Sequence, residues 1–187
     1  MIRHRLTIQP LCSRTATGWT LIELMVVVTI ASLLIATSVP QYGDWVKSRA
    51  LANEAQHLAA SMTLARSEAI KRGYRVSLCP STDRRHCSGN AWDGGWLVYV
   101  DVNRNGQVDD DEPVLRVEAA VAGGVRMTGN RPVADYVSYT SLGNARLLSG
   151  ALQMGTFTLC RPGLTALHVV LANSGRVRVE ESRDACA

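Results

Sequence analysis

The sequence has 187 residues, of which 47% are hydrophobic and 19% are charged, so it can build one packed domain and is not a low-complexity chain. The formal charge is +4, but three of the 20 basic residues (Arg3, Arg5 and Arg14) precede a long apolar run. The rest of the chain carries 17 basic and 16 acidic residues, so net charge excludes a strongly basic protein, and an anionic partner must be argued from local clusters.

The first predicted element is the apolar run from Trp19 to Val39, in which 15 of 21 residues are apolar. As a helix it would be roughly 30 Å long, which is enough to cross a bilayer. Arginines precede the run and no comparable cluster follows closely, so the N-terminus is expected in the cytoplasm. A secretory signal cleaved near residues 36–38 is the alternative. Against that alternative, the run begins with an acid, Glu23, which is costly in hydrocarbon.

Helical character continues after the run, and Pro40 predicts a kink where the helix leaves the membrane. Gly73 fits a C-cap. Apolar residues recur between these points at spacings of four and three, which places them on one stripe of a helix. They are Leu51, Ala55, Leu58, Met62, Ala65 and Ala69. Residues 40–73 are therefore predicted to form an amphipathic helix that packs on a globular head.

The remaining sequence predicts short β-strands that are rich in β-branched or aromatic residues and separated by Gly, Asn, Asp or Pro. They are residues 74–79, 95–102, 113–119, 135–141, 155–160, 167–172 and 175–181. The sequence "NSG" between the last two indicates a tight hairpin turn. One long helix followed by seven short strands predicts an α+β fold in which an antiparallel sheet packs on the helix.

Five cysteines are present, and Cys12 lies before the apolar run. The other four allow three disulfide connectivities. We favour Cys79–Cys87, which closes a short loop, and Cys160–Cys186, which ties down the C-terminus. Zinc is the alternative, but the spacing from Cys79 to Cys87 is too wide for a two-residue knuckle and no His pair accompanies it. Disulfides would indicate an oxidising compartment.

The sequence "DVNRNGQVDDDE" fits the calcium-loop pattern through Asp101, Asn103, Asn105, Gly106 and Glu112. Its oxygen ligands and turn glycine suit Ca²⁺. The flanking sequences "WLVYV" and "PVLRV" are strand-like, however, whereas an EF-hand has helices there. A polar hairpin turn that uses Asn and Gly for their positive φ is the competing interpretation.

The sequence "GRVR" places Arg176 and Arg178 two residues apart, so an extended strand would point both to one face about 7 Å apart. Two such guanidinium groups can contact neighbouring phosphates without reading bases. Arg183 and Arg161 are candidates to extend the patch. Glu180 follows on the same face, and a solvated strand face is the competing interpretation. The four histidines form no catalytic motif, and no nucleophile elbow or phosphate-binding loop is present, so an enzyme is not expected.

The stretch "GWTLIEL", residues 18–24, resembles the prepilin motif of type IV pilins and type II secretion pseudopilins. The resemblance implies that a prepilin peptidase cuts between Gly18 and Trp19 and that the new amine of Trp19 is N-methylated. It also implies an assembly role for Glu23, whose carboxylate would meet the Trp19 amine of a neighbouring subunit. The family usually has Phe at the first mature position, so Trp19 is a departure.

Three further stretches, "WLVYVDVNRNGQVDDDEPVLRV", "SLG" before "GTFTLC", and the terminal "SGRVRV", resemble the GspH/FimT family of minor pilins and pseudopilins. The resemblance implies a pilin-like fold. Its parts would be a cleaved leader (1–18), a transmembrane or filament-core helix (19–39), an amphipathic helix (40–73) and a β-rich head (74–187).

The FimT branch implies a minor type IV pilin that takes part in pilus assembly. Its partners would be other pilins, the prepilin peptidase and the inner membrane, with the head in the periplasm and later in the pilus. Some members of this branch bind DNA during natural transformation, through an element that the "GRVR" stretch resembles, so double-stranded DNA, bound without sequence preference, is a further expected partner. One alternative is a structural GspH-type pseudopilin of a type II secretion system. The other is a calcium-dependent binding module on a pilus, and apart from that Ca²⁺ no cofactor is expected.

Overall fold

The computed structural model describes residues 18–186, and the side chains of residues 37–41 lie outside that description. The predicted leader therefore falls outside the described residues, apart from Gly18, and so does Cys12. The chain forms two compact units that divide between Tyr42 and Gly43.

The α-helix α1 (Leu21–Arg72) has 52 residues and contains both predicted helical segments. It begins after Thr20, whose Oγ1 accepts a 3.3 Å hydrogen bond from the backbone N–H of Glu23 and so caps the first turn. It ends before Gly73, which has a φ of +73° and donates its N–H to the carbonyl oxygen of Ala69 at 3.0 Å. Gly73 is thus placed as a C-cap, because glycine adopts this left-handed backbone without a Cβ penalty. The kink at Pro40 stays a prediction.

In the first unit, large apolar side chains of α1 are exposed. Leu21 is 77% exposed, Leu33 is 70% exposed and Ile35 is 63% exposed. Within the described residues, no helix combines the length and the hydropathy that a bilayer crossing needs.

In the second unit, the predicted apolar stripe of α1 is confirmed. Its six members, Leu51, Ala55, Leu58, Met62, Ala65 and Ala69, are each at most 2% exposed. They belong to a buried cluster that also contains Val98 and Phe157 from the strands. Burial of apolar surface against the strands, at about 25 cal/mol per Å², is therefore what fixes this part of the helix to the head.

Eight strands follow the helix. They are β1 (Val76–Pro80), β2 (Trp96–Val100), β3 (Val114–Glu118), β4 (Arg126–Gly129), β5 (Val137–Tyr139), β6 (Gly155–Cys160), β7 (Thr165–Leu171) and β8 (Val177–Ala185). Sheet A has the order β3-β2-β1-β5, and sheet B has the order β4-β6-β7-β8. All neighbouring strands pair antiparallel.

The predicted α+β class is confirmed, with two corrections to the head. It contains two four-stranded sheets rather than one. It also contains β4, which was not predicted because "RMTG" is short and has neither an alternating pattern nor a run of β-branched residues. The chain enters sheet B at β4, returns to sheet A at β5 and then completes sheet B, a pairing order that local sequence does not specify.

Two disulfides are present, Cys79–Cys87 and Cys160–Cys186, which are the pairs favoured from the sequence. The first joins β1 to the loop that follows it. The second joins the end of β6 to the residue after β8. Cys186 also donates its backbone N–H to the carbonyl oxygen of Leu164 at 2.9 Å, so the end of the described chain is held to the β6–β7 turn.

Candidate functional site

The first turn of α1 presents an indole ring and a carboxylate to solvent. Trp19 is 75% exposed, and Glu23 is exposed as well. Glu23 is the third helical residue after the cap Thr20, the position of the acid in a capping box, where a negative charge interacts favourably with the helix dipole. Among residues 18–186, no basic side chain forms an ion pair with the Glu23 carboxylate. Glu23 therefore also has a local role at the start of α1. This role was not predicted, although the three-residue spacing of Thr20 and Glu23 is that of a capping box.

The predicted arginine pair lies on and beside β8, an edge strand of sheet B. Arg176 and Arg178 are exposed. Val177, which lies between them, and Val179, which follows Arg178, pack against the core cluster. This alternation places the two arginines on the outer face, because successive side chains of a strand point to opposite faces. The structure therefore brings Arg176 and Arg178 to one face.

Glu180 shares that outer face and forms an ion pair with Arg178, Nε to Oε1. Both side chains are about half exposed (52% and 47%), so solvent screens the pair and its contribution to stability is small. Its effect on binding is more direct, because one of the two cations already has a carboxylate partner. Arg176 forms no ion pair within residues 18–186, so it is the less compensated of the two.

Arg161 and Arg183, predicted to extend the patch, belong to the other end of sheet B. Arg178 pairs with Val170, whereas Arg183 lies five residues further along β8, roughly 16 Å away in an extended strand. Arg161 directly follows Cys160, so both it and Arg183 lie near the Cys160–Cys186 disulfide. The sheet register thus separates the four arginines into two pairs.

A fifth arginine of this sheet was not predicted as part of the patch. Arg126 is exposed on β4 and pairs with Cys160, so it lies at the disulfide end with Arg161. The sequence did not place Arg126 near the patch, because the strand that carries it, β4, was not predicted.

The second candidate site is the 101–112 loop (Asp101–Glu112), which joins β2 to β3. Gly106 within it has a φ of +74°, and a Cβ there would lie 2.6 Å from Cδ1 of Leu148. Only glycine therefore fits this point of the loop. Val108 packs against the small buried cluster that contains Cys79 and Tyr99, so the loop is anchored from inside.

The predicted calcium ligands occupy two different environments. Asp101 is wholly buried and Glu112 is 7% exposed, whereas Asn103 and Asn105 are exposed. The Nδ2 groups of Asn103 and Asn105 donate to one oxygen of Asp109, Oδ2, at 2.7 and 2.8 Å. Asp109 was not among the predicted residues, although the ninth position of the calcium-loop pattern marks it.

The buried carboxylates act on Tyr99, which lies beneath the loop. Burial raises the pKa of the Tyr99 hydroxyl, and the negative charges of Asp101 and Glu112 raise it further. Both carboxylates are therefore close to one buried point. Among residues 18–186, no group of three or more His, Cys, Asp or Glu side chains could hold a metal ion.

The fold defines a pilin-like protein: a long N-terminal helix whose second part is packed into an antiparallel β head. A family model described as "Type II transport protein GspH" matches residues 54–179, about two thirds of the chain. The chain belongs to the GspH family, and it is a minor pilin or pseudopilin.

The chain is also similar to individual proteins, and the likeness to the solved structures concerns the fold. The chain is 28% identical to the pilin-like protein PilA1 of Thermus thermophilus over 166 residues, which cover 89% of this chain and 99% of that protein. The crystal structure of the type IV minor pilin FimU from Pseudomonas aeruginosa matches with a TM-score of 0.56 and 20% identity, over 73% of this chain and 95% of that one. The minor pseudopilin EpsH from Vibrio cholerae matches with a TM-score of 0.46 and 14% identity, over 70% and 96%.

Proposed function

We propose that this chain is a minor pilin of a type IV pilus, of the FimT type, and that it takes part in pilus assembly. The observation that carries the proposal is the apolar surface of α1 before residue 37, where Leu21, Leu33 and Ile35 are more than 60% exposed. Apolar surface of this extent needs a cover. A bilayer covers it before assembly, and the packed helices of a filament cover it afterwards.

In this proposal the prepilin peptidase cuts between Gly18 and Trp19, and the amine of Trp19 is N-methylated. The N-terminus faces the cytoplasm, and the head lies in the periplasm until the subunit enters the pilus. The two disulfides of the head suit an oxidising compartment.

Glu23 is proposed to set the register of assembly. The carboxylate of one subunit would meet the Trp19 amine of its neighbour, so that two charges that are each costly in an apolar environment neutralise one another. A misregistered subunit would leave both charges unpaired, which is strongly unfavourable.

The alternative is a GspH-type pseudopilin of a type II secretion system, which the family model and the fold support equally well. A gene deletion in the source bacterium separates the two. For a minor pilin we expect loss or reduction of sheared surface pili, restored by the wild-type gene, with secretion of folded exoproteins unchanged. Normal piliation with lost secretion would instead establish the pseudopilin.

DNA binding is proposed as a second function, supported by the exposure of Arg176 and Arg178 on one face of an edge strand. Two guanidinium groups about 7 Å apart suit neighbouring phosphates of double-stranded DNA and carry no base readout. Because Glu180 pairs with Arg178, a single head should bind weakly, roughly micromolar at best. Several subunits at one pilus would then hold DNA by avidity.

The test is a gel shift of a short duplex by the head, residues 47–187, at several salt concentrations. Replacing both arginines (Arg176→Gln/Arg178→Gln) should remove most binding, and the wild-type affinity should fall steeply with salt because phosphate contacts release counterions. The matched control, Arg85→Gln/Arg131→Gln, removes the same charge from exposed positions elsewhere on the head. Equal losses in both variants would reduce the interaction to net charge, and no shift by the wild type would remove this function.

A further inference from the structure

The 101–112 loop begins and ends with a buried carboxylate, Asp101 and Glu112. In each carboxylate only one of the two oxygens accepts a hydrogen bond. Oδ2 of Asp101 accepts a 3.1 Å hydrogen bond from the Ser77 hydroxyl. Oε1 of Glu112 accepts from the backbone N–H groups of Val102 and Asn103 at 2.7 and 3.4 Å. The other two oxygens, Oδ1 of Asp101 and Oε2 of Glu112, are buried and have no hydrogen-bond partner among the described residues.

Two such oxygens in one loop are costly. A buried polar atom without a hydrogen-bond partner loses its hydration without replacement, and the cost is larger when the atom carries charge. Native folds therefore pair buried carboxylates with a basic side chain or with a metal ion. The two unpartnered oxygens raise the question of what neutralises them.

Within residues 18–186, no basic side chain forms an ion pair with Asp101 or Glu112. Arg75 comes nearest through hydrogen bonds. Its Nη1 donates to Ser138 Oγ at 2.7 Å, and Ser138 is 2.9 Å from Ser77, which donates to Asp101. Two hydroxyl groups thus separate the Arg75 guanidinium from the Asp101 carboxylate. This series of hydrogen bonds reaches Oδ2 of Asp101, and Oδ1 remains without a partner among the described residues.

The sequence between the two carboxylates supplies oxygens at the spacing that a calcium loop uses. Counting Asp101 as position 1, Asn103 and Asn105 stand at positions 3 and 5, and the carbonyl of Gln107 stands at position 7. Asp109 and Glu112 follow at positions 9 and 12, and Gly106 at position 6 has the positive φ of the sharp turn. A calcium loop needs few carboxylates at the ion itself, because amide, backbone and water oxygens complete its shell.

We propose that the 101–112 loop binds one Ca²⁺ ion, with the unpartnered oxygens of Asp101 and Glu112 as its two buried ligands. Oxygens of Asn103, Asn105 and the Gln107 carbonyl complete the set, and Asp109 acts through water. The donors are all oxygens, which favours a hard cation over zinc, and their number favours Ca²⁺ over Mg²⁺, which keeps several of its own waters.

The flanks give this site a different role from that of an EF-hand. β2 and β3 pair antiparallel on either side of the loop, so no helix pair is present there to open. The ion instead holds the two ends of the hairpin together by joining Asp101 to Glu112. Its affinity should resemble that of extracellular modules, with a Kd on the order of 10⁻⁴–10⁻³ M, because only two carboxylates reach it directly.

The test uses the full chain in detergent after treatment with a chelator, with Ca²⁺ or Mg²⁺ added at millimolar concentration. Isothermal titration should show one Ca²⁺ per chain, and the Tm should rise by several degrees with Ca²⁺ and much less with Mg²⁺. Tb³⁺ offers a second readout, because its luminescence should be sensitised through nearby Tyr99 and displaced by Ca²⁺. A wild-type chain that shows no Ca²⁺ binding and no Tm change would overturn the proposal.

Two variants of the same loop localise the site. Glu112→Gln keeps the size of the side chain and an acceptor for Val102, so it should fold, but it should weaken Ca²⁺ binding at least tenfold. Without Ca²⁺ it should melt no lower than the wild type, because it removes an unpaired buried charge. The control Asp111→Asn removes the same charge at an exposed non-ligand position and should bind Ca²⁺ normally. Equal weakening in both variants, or in neither, would contradict the assignment.

Discussion

The carbonyl oxygen of Gly143 lies so close to Gly175 that a Cβ at position 175 would be 2.1 Å from it. The same carbonyl accepts a 3.0 Å hydrogen bond from Nε of Arg66 on α1. Helix α1, the turn at residues 140–143 and the hairpin turn before β8 therefore meet at one point. Because Arg176 follows Gly175 directly, this contact fixes the start of the strand that presents the arginine pair.

Gly175→Ala should destabilise the head by about 2–4 kcal/mol, from the left-handed backbone and the forced displacement of Gly143 together. The matched control is Gly163→Ala. Gly163 has nearly the same φ (+82° against +79°), but a Cβ added there would meet no atom within 4 Å, so only the backbone cost of about 1–2 kcal/mol applies. Urea unfolding of both variants measures the difference, and equal losses would mean that the close approach contributes nothing.

Glu180→Gln should strengthen DNA binding if the proposed surface is right. The substitution releases Arg178 from its ion pair, so one more cation faces the phosphates and the salt dependence should steepen by about one ion. The chain offers a matched control in Glu118, which pairs with Arg116 two residues earlier on β3, the edge strand of sheet A. Glu118→Gln makes the same change in net charge, and a similar gain from it would show that binding does not depend on β8.

Removing the Cys160–Cys186 disulfide with a double alanine variant should cost about 3.5 kcal/mol, because the bond closes a 26-residue span. Hydrogen exchange should accelerate at the end of β8, including the backbone N–H of residue 186. The corresponding variant at Cys79 and Cys87, which lie eight residues apart, should lose about 2.5 kcal/mol from loop closure, and its faster exchange should stay near β1. Uniform acceleration across the head in the first variant would contradict this local role.

The helix was the best-specified part of the fold from sequence. Its stripe is defined by contacts one turn apart, and the six residues predicted from the spacing are all buried. Its C-cap at Gly73 depends on a single residue's backbone freedom. Such local rules need no knowledge of the rest of the chain.

The head was specified less completely because strand pairing is non-local. The seven predicted strands each overlap an observed one, but β8 continues to Ala185, beyond the predicted end at residue 181. Arg183 and Asp184 near its end are polar and exposed, and the pairing of Ala185 with Thr165 and the disulfide at Cys186 hold this segment in place. The disulfide was predicted from the sequence, but the pairing of Ala185 with Thr165 that extends the strand to it is not visible in the local pattern.

The candidate sites divide in the same way. Alternation along β8 was enough to place Arg176 and Arg178 on one face, since that depends only on the strand period. The separation of Arg161 and Arg183 from them depends on the register of sheet B, and the position of Asp101 depends on its hydrogen bond to Ser77 of β1. Those properties emerged only with the tertiary structure.

Glu23 takes part in capping the first turn of α1 and is proposed to set the register of assembly, and one pair of substitutions can separate these two roles. Gln can replace Glu in a capping box, so Glu23→Gln should keep the first turn of α1 while removing the charge. We expect this variant to be processed normally but to be absent from filaments, and Glu23→Asp, which keeps the charge, to retain part of the incorporation. Immunoblots of membrane and sheared-pilus fractions measure both steps, and normal incorporation of Glu23→Gln would leave capping as its role.

The central claim is that the chain is a processed subunit of an extracellular filament, and mass spectrometry of sheared filaments tests it most directly. We predict that peptides of this chain are present and that its first residue is Trp19 with an N-methylated amine. A mature chain that begins near Pro40, or the absence of the chain from purified filaments, would contradict that claim.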